Sequence, residues 1–455
     1  MRDLPDSPPS LWLAEYGEYH PEPELESDLE FDAAVIGGGF TGLATAIALK
    51  RQEPSLQVAV LEAKTIGYGA SGRNGSFAMT VIGLGFGTTA MLRGKGFLRH
   101  AHFYMEHCVD ELERFIDEAG LRCDKVRPGF LRVATTPSYV KRLQKQVELM
   151  KSLGFEGISW LDATATRTRV NSERYLGAMW EPRLLLVNPA KLVREQKRHA
   201  LELGVRVFER SPALAVAQTP GPEPTHRLLT PHGSLTTHRL AFATNAYSHL
   251  FTQLDRLQAP AFTYMIATEP LSEEQLAPIG WRGGEGIEDA RNLIHYYRLT
   301  HDKRIVLGGG PVGLTANGDL DRDADDQAWR HLERYLHWLW PHLSDVAITH
   351  RWGGPFSVTL DLTPALGYIG SDRSAVYALG CIGHGVSMSY LNGEVLAELL
   401  LGDGRGMAAE CPFVNRKVIP WPREPLASIA EHALRGYLRA EDAFYESVLT
   451  RIGSS

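Results

Sequence analysis

FDAAVIGGGFTGLATAIALKRQEPSLQVAVLE, residues 31–62, changes character three times, and those changes decide the fold. Phe31 to Gly37 is a compact apolar run of strand length. Gly37-Gly38-Gly39-Phe40-Thr41-Gly42 is a glycine turn, after which Leu43, Ala46, Ile47 and Leu49 mark one face of a helix. Gln57 to Glu62 is a second apolar strand, so the stretch predicts a βαβ unit. The turn reads GxGxxG, weak by itself because glycine turns are common, and strong where it closes a strand and opens a helix. Gly37 permits the tight turn, Gly39 lets backbone approach a pyrophosphate, and Gly42 lets helix and strand pack closely. Phe40 and Thr41 begin the helix, whose positive end suits phosphates. Glu62 ends the second strand, where a carboxylate accepts hydrogen bonds from ribose hydroxyls and repels the extra phosphate of NADP.

The fingerprint does not choose between FAD and NAD. The segment after it does: Ala63-Lys64-Thr65-Ile66-Gly67-Tyr68-Gly69-Ala70-Ser71-Gly72-Arg73-Asn74-Gly75-Ser76 is rich in glycine and hydroxyls. It resembles the FAD-binding segment of the D-amino-acid-oxidase-like superfamily. A flavin on a long ribityl-diphosphate needs backbone donors and small residues over an extended path. Arg73 neutralises the diphosphate, orients the loop, or makes a surface salt bridge. Three further blocks are similar to that superfamily: Leu240 to Ala246; Trp352-Gly353-Gly354 through Thr359 and Asp361 to Gly367-Tyr368-Ile369-Gly370; and Leu379 to Val386 with its Gly383-His384-Gly385 turn. Within it, Tyr68 to Gly75, Tyr297 to Thr300 and Gly383 to Val386 look most like the gamma-glutamylputrescine oxidoreductase and aminophosphonate oxidoreductase families.

The resemblance implies an α/β (α+β) fold: a Rossmann-like FAD-binding domain of the glutathione-reductase type with an inserted mixed-sheet substrate domain. It implies that FAD is held by Gly37, Gly39, Phe40, Thr41, Gly42, Glu62, Ala63, Lys64, Gly69, Ala70, Ser71, Arg73, Asn74, Gly75, Ser76, Ala213, Thr244, Asn245, Ala246, Gly354, Gly383, His384, Gly385 and Val386. No cysteine lies between Trp352 and Gly370 and no histidine between Glu62 and Gly75. The positions where relatives tether FAD are thus empty, which implies noncovalent binding. Val306 stands where an oxygen-activating lysine is found in monomeric sarcosine oxidase, which implies slow reaction with dioxygen.

The implied chemistry is oxidation of the CH–NH bond of a small amine to an imine that hydrolyses to an aldehyde. Electrons pass to dioxygen, giving hydrogen peroxide, or to another acceptor such as a quinone; a flavin-binding protein without turnover is the rival reading. The GHG turn opens a helix whose dipole would stabilise negative charge on reduced flavin. His384 either lines that edge or packs at the turn. An anionic tail wants an arginine fork, for which Arg298 and Arg351 are the candidates, Arg298 the better because Tyr296 and Tyr297 before it offer an aromatic wall and hydroxyl donors; strand alternation either turns Arg298 to the substrate or to solvent.

The remaining chain organises around these motifs. Residues 1–30, with Pro5, Pro8, Pro9, Pro21 and Pro23, read as an arm docking through Trp12. Residues 31–100, 155–245 and 345–403 are expected to form the FAD-binding domain, 101–154 and 246–344 the substrate domain, and 404–455 a helical tail with Leu434, Tyr437, Leu438, Phe444 and Val448. Asn188 and Pro189 predict a helix start and Gly204 its stop, and Trp329 to Leu339 have helical spacing. Val81 to Gly96 reads as a loop over the flavin.

Composition excludes other classes. Over 455 residues the formal charge is −7, which gives no field for nucleic acid or anionic membrane. The proline-rich, acidic N-terminus lacks a signal pattern, and no run of about eighteen apolar residues occurs, so a cytoplasmic enzyme is expected, with oligomeric state open. Cys108, Cys123, Cys381 and Cys411 are scattered, without a CxxC pair, which argues against disulfides or a zinc site; no metal is expected.

Overall fold

The structure, a computed structural model, describes residues 9–447 and Leu4, except residues 82, 84, 222, 311, 316, 317 and 403. Pro5, Pro8 and Val448 lie outside the described residues.

The apolar runs on either side of the glycine turn become neighbouring strands, Asp28–Ile36 and Val58–Leu61, paired in parallel. They sit centrally in an eight-stranded sheet with main order Ala365–Ile369, Ala375–Leu379, Ser234–Phe242, Asp28–Ile36, Val58–Leu61, Arg206–Phe208. Val58 to Leu61 is buried at every position, as befits a parallel strand covered on both faces. The helix Phe40–Gln52 packs on the helix Gly385–Leu401 from the other end of the chain. Contact is close because Gly393 has no side chain: a Cβ there would lie 2.5 Å from that of Ala44. The helix Pro189–Glu202 starts where Asn188 and Pro189 predict, with the Asn188 side chain accepting from the Lys191 amide.

A second, nine-stranded sheet runs Gly313–Leu314, Ala259–Thr268, Ile305–Gly309, His295–Leu299, Gly286–Asp289, Phe130–Ala134, Gly177–Glu181, Ser159–Asp162, with Ile348–Val358 also paired to Ala259–Thr268. The predicted helix, Asp326–Leu339, covers one face of it through Trp329, Leu332, Leu336 and Leu339.

The division of the chain differs from the expected one in three places. Ser159–Asp162 and Gly177–Glu181, expected with the first sheet, pair with the second, as does Ile348–Val358. The helix Lys95–Glu118, expected mostly with the second sheet, buries Met105, Cys108, Leu112 and Phe115 in the core of the first. Pairing partners decide membership. Of the segment read as a loop over the flavin, Phe86–Arg93 is helical.

The N-terminal arm docks through Trp12 as expected. Trp12 is buried with Met265, Val306 and Trp352, and its indole N–H donates to the Asn74 carbonyl at 2.9 Å. Ser10 donates to the Gly72 carbonyl at 2.6 Å, so the arm pins the glycine-rich loop from outside. The helix Leu426–Ser447 packs against the helix Pro137–Ser152.

Candidate functional site

Between the two sheets lies one continuous cavity of about 480 Å³. The glycine turn forms one end: Gly37, Gly39, Phe40 and Thr41 line it, with Glu62 beside them. Gly42 does not line it, yet carries out the packing role expected of it, since a Cβ there would sit 1.8 Å from the Gly37 carbonyl oxygen. Glu62 accepts from the Gly38 amide at 2.8 Å and the Lys64 amide at 3.0 Å. A carboxylate accepts about four hydrogen bonds, so capacity is left for ribose hydroxyls. Burial pushes the Glu62 carboxyl up to about 7, against the pull of those amides.

Ala63, Gly69, Ala70, Ser71, Arg73, Asn74 and Gly75 also line the cavity, and so do Ala213, Thr244, Asn245, Gly354, Gly383, His384, Gly385 and Val386. Ser71 accepts the Phe40 amide at 3.0 Å, tying the loop to the helix start. Asn245 ties three segments together: its side-chain oxygen accepts from the Ser357 amide and from Cys381 Sγ. Arg73 makes no surface salt bridge. It is buried, donates to Asp323 at 3.0 Å and to the Gly353 carbonyl at 3.1 Å, and fills the space that glycine leaves at position 354.

Lys64, Ser76 and Ala246 stand outside the lining. Lys64 contributes its amide to Glu62. Ser76 is buried with its amide on Asn74 Oδ1 at 2.8 Å, and the Ala246 carbonyl accepts from Gln258 at 3.0 Å. All three hold neighbours of the cavity.

The expected catalytic set is brought together only in part. His384 is half-buried in the wall, and burial with Arg132 nearby pushes its imidazole down to about 4, so it is neutral near pH 7. Tyr297 is fully buried on the far side of its strand, with its hydroxyl 2.9 Å from that of Tyr175. Alternation instead sends Tyr296 into the cavity, where its ring occupies the space left by Gly75 and Gly308. Arg298 faces neither substrate nor solvent: its strand face continues beyond the cavity under the arm, where Arg298 donates to the Val187 carbonyl at 3.2 Å and lies over the Trp12 ring. Arg351 is exposed, 3.6 Å from Glu333, away from the cavity. Val306 is buried against Trp12 and Trp352 rather than in the lining.

Sequence reasoning missed the charged pair in the second-sheet wall. Arg132 donates to Glu288 at 2.7 Å, both buried and both lining the cavity. Burial raises the Glu288 carboxyl, and Arg132 holds it back. The signal was present: an arginine inside FLRVA at 130–134, and two acids inside the wholly buried strand Gly286–Asp289. Ions at such positions are costly unless paired, so each announces a partner.

The cavity fits a flavin dinucleotide. Two helix N-termini, at Gly39 and His384, open into it, neither capped by the side chain of its own N-cap residue, although Ser71 takes the Phe40 amide at the first; the helix dipoles present positive ends there for phosphate and for anionic charge. Five polar atoms of its lining residues, Arg73 Nε, Arg132 Nε, Arg142 Nη1, Asn292 Nδ2 and Asn392 Oδ1, are buried without a protein partner. Among the described residues no cluster of His, Cys, Asp and Glu forms a metal site, and no helix is long and apolar enough to cross a membrane.

Comparison with known proteins agrees with this geometry. The family described as FAD dependent oxidoreductase (DAO) matches residues 32–399. The chain is similar to gamma-glutamylputrescine oxidoreductase of Escherichia coli (strain K12), 32% identical over 449 residues and covering 98% of each chain. Its fold is similar to glycine oxidase from Geobacillus kaustophilus, with TM-score 0.68 and 20% identity over 86% of this chain and 100% of that one. It is also similar to L-proline dehydrogenase from P. horikoshii, with TM-score 0.67 and 20% identity over 84% and 94% of the two chains.

Proposed function

The chain belongs to the DAO family of FAD-dependent oxidoreductases, and from that premise we propose that it oxidises the CH–NH bond of a small amine with a charged tail, such as a gamma-glutamyl amine, an aminophosphonate or an amino acid. When bound, FAD supplies the hydride acceptor, and the imine product hydrolyses to an aldehyde, or to a 2-oxo acid where the amine is an amino acid. The observation that carries this reading is the single cavity joining the Gly37–Thr41 turn and Glu62 to His384 and the Arg132–Glu288 pair.

The chain's residues divide the work. Glu62 would hold the ribose of the bound dinucleotide, and the amides at the start of Phe40–Gln52 would hold its diphosphate. The uncapped end at His384 favours negative charge developing beside it. An amine arrives as an ammonium and must lose a proton before its C–H bond is broken. Glu288, raised by burial, is the acceptor that the electrostatics of the wall favours, while His384 stays neutral and polarises without taking the proton. Tyr296 and Thr263 provide wall against which the reacting carbon is oriented.

The cofactor hold is noncovalent in this reading. Cys381 is the cysteine in the cavity lining among the described residues; its thiol is pushed up by burial and donates to Asn245, which keeps it from acting as a thiolate nucleophile. Acid precipitation should release all the yellow colour into the supernatant.

The test is an anaerobic titration of the yellow holoprotein with polyamines, gamma-glutamyl amines, aminophosphonates and D-amino acids. Bleaching by at least one amine supports the reading, and bleaching by none sinks it. Air then decides the acceptor: peroxide formed in equal amount to amine consumed identifies an oxidase, and persistent bleaching identifies a dehydrogenase serving a quinone or carrier.

A further inference from the structure

The helix Leu426–Ser447 is turned the opposite way from an ordinary surface helix. Its inward face gives Glu431, Arg435 and Leu438 to the cavity wall and buries Asp442, which accepts the Asn292 amide at 2.8 Å and the Leu293 amide at 3.1 Å. Its outward face is apolar. Leu426, Ile429, Tyr437 and Phe444 are each at least 60% exposed, and with the exposed Ala433 and Ala440 they recur at steps of three and four residues, which makes one stripe along the helix. Polar groups are thus spent inside and the apolar stripe faces out, the arrangement expected where something covers the stripe.

The short helix Phe86–Arg93 belongs to the same side of the molecule, because both helices run between helix Pro137–Ser152 and residues 358–363. At one end a Cβ on Gly85 would lie 3.6 Å from Arg142 Nη2, and Tyr445 stacks on Tyr139. At the other, Arg93 donates to Asp361 at 2.5 Å, and Trp421 donates to the Val358 carbonyl at 3.1 Å. Gly85 lines the cavity as Glu431 does, so the faces turned from the cavity look outward together, and there Met91 is 77% exposed with Leu92 exposed beside it. Cations frame this face: Lys95, Arg99, Lys141, Lys145, Lys151 and Arg439 are exposed and make no ion pair with a described residue. Among the described residues, the exposed acids of these segments are Glu148 and Glu424. The formal charge of −7 averages over this uneven distribution.

We propose that this face docks on the surface of an anionic lipid bilayer, with helix Leu426–Ser447 lying in the plane of the headgroups. The stripe enters the boundary between headgroups and acyl chains, and the framing cations meet lipid phosphates. Attachment in the plane suits a chain in which, among the described residues, no helix is long and apolar enough to cross a membrane. Charge selects the occupant: a second copy of this chain seated on the stripe brings the same cationic frame against itself, a like-charge contact that disfavours the pair. The proposal goes beyond the amine-oxidising reading and does not rest on it.

Co-sedimentation of the yellow holoprotein with vesicles tests it, using phosphatidylcholine alone and phosphatidylcholine mixed with phosphatidylglycerol. At low salt the protein should partition onto the mixed vesicles roughly tenfold more strongly, and raised salt should narrow that difference. Ile429→Glu and Tyr437→Glu should each weaken binding roughly tenfold. Lys141→Glu combined with Lys145→Glu should remove most of the preference for phosphatidylglycerol. Flavin content and the visible spectrum of each variant report folding. Binding to neither vesicle overturns the proposal, as does binding that survives both outer-face variants. A wild type that is dimeric by sedimentation velocity and becomes monomeric in Tyr437→Glu gives the face to a second copy, and overturns it as well. Anaerobic bleaching by amines reads the oxidation chemistry separately, so failure of either reading leaves the other standing.

Discussion

The two ends of the cavity are built by opposite means. The nucleotide end comes from one contiguous stretch, Gly37 to Glu62, and the loop that follows, so its chemistry is written in consecutive residues. The rest of the cavity takes Arg132, Arg142, Glu288, Asn292 and Glu431 one at a time from separate segments, brought to it only through folding. Backbone amides dominate the first end and charged side chains the second. A backbone site tolerates little change in the glycines that shape it, whereas a side-chain site can be retuned residue by residue on one scaffold.

Substitutions can break that comparison. The largest effect is expected for Gly42→Ala, whose Cβ would meet the Gly37 carbonyl at 1.8 Å; the helix cannot seat on the strand, and purified protein should carry almost no flavin by its visible absorbance. Gly39→Val should likewise lose FAD by blocking the pyrophosphate approach. Full yellow occupancy in either variant would show that the backbone does not shape this end.

Next comes Glu288→Leu, which strands Arg132 as a buried charge. Breaking such a pair costs about 3–5 kcal/mol, seen as a lower denaturant midpoint of the holoprotein. Replacing both partners with apolar residues of similar volume should recover most of that stability without recovering amine turnover. Equal stability of the single and double variants would mean that the pair is not coupled.

Acidity gives a smaller, graded effect at Glu62. With its carboxyl raised to about 7 in the free protein, and ribose hydroxyls favouring the ionised form, FAD binding must expel a proton below that pH. Affinity should weaken roughly tenfold per pH unit as pH falls below about 7 and stay flat above it. The free protein should respond with the opposite sign, because a folded pKa above the unfolded value gives this group stability that is present at low pH and lost as pH rises through about 7. Fluorescence titrations across pH 5.5–8 check the first, and Glu62→Gln should flatten the profile; a slope that survives in Glu62→Gln belongs to another group.

The smallest effects belong to the arginines that stand outside the cavity. Arg298→Ala should lower stability by about 1–3 kcal/mol through the lost bond to Val187 and leave KM for every amine unchanged. Arg351→Ala, at an exposed position, should stay within about 0.5 kcal/mol of wild type. A raised KM in Arg298→Ala would move the substrate site under the arm.

Those two arginines also show how far reading along the chain carries. Strand periodicity at His295–Leu299 predicts two faces, and the structure has them: Tyr296 in the cavity, Tyr297 in the core beyond. Period alone does not say which face is which, nor where along a face the cavity ends, and Arg298 falls past that end beneath Trp12. By contrast the arm's docking through Trp12, the helix start at Asn188 and the helix at Trp329 to Leu339 were legible, because caps and apolar spacing act over a few neighbouring residues.

The amino-acid sequence alone therefore determined the βαβ unit, the nucleotide turn, the ribose acid and the GHG turn, since each depends on dihedral freedom, caps and charges within about twenty residues of chain. Only the tertiary structure decided which strands joined which sheet, that Arg132 meets Glu288, and that Arg142, Asn292 and Glu431 line one cavity with His384. Arg132 and Glu288 stand 156 positions apart, and a contact across that distance is set by how whole elements pack, which no local pattern encodes.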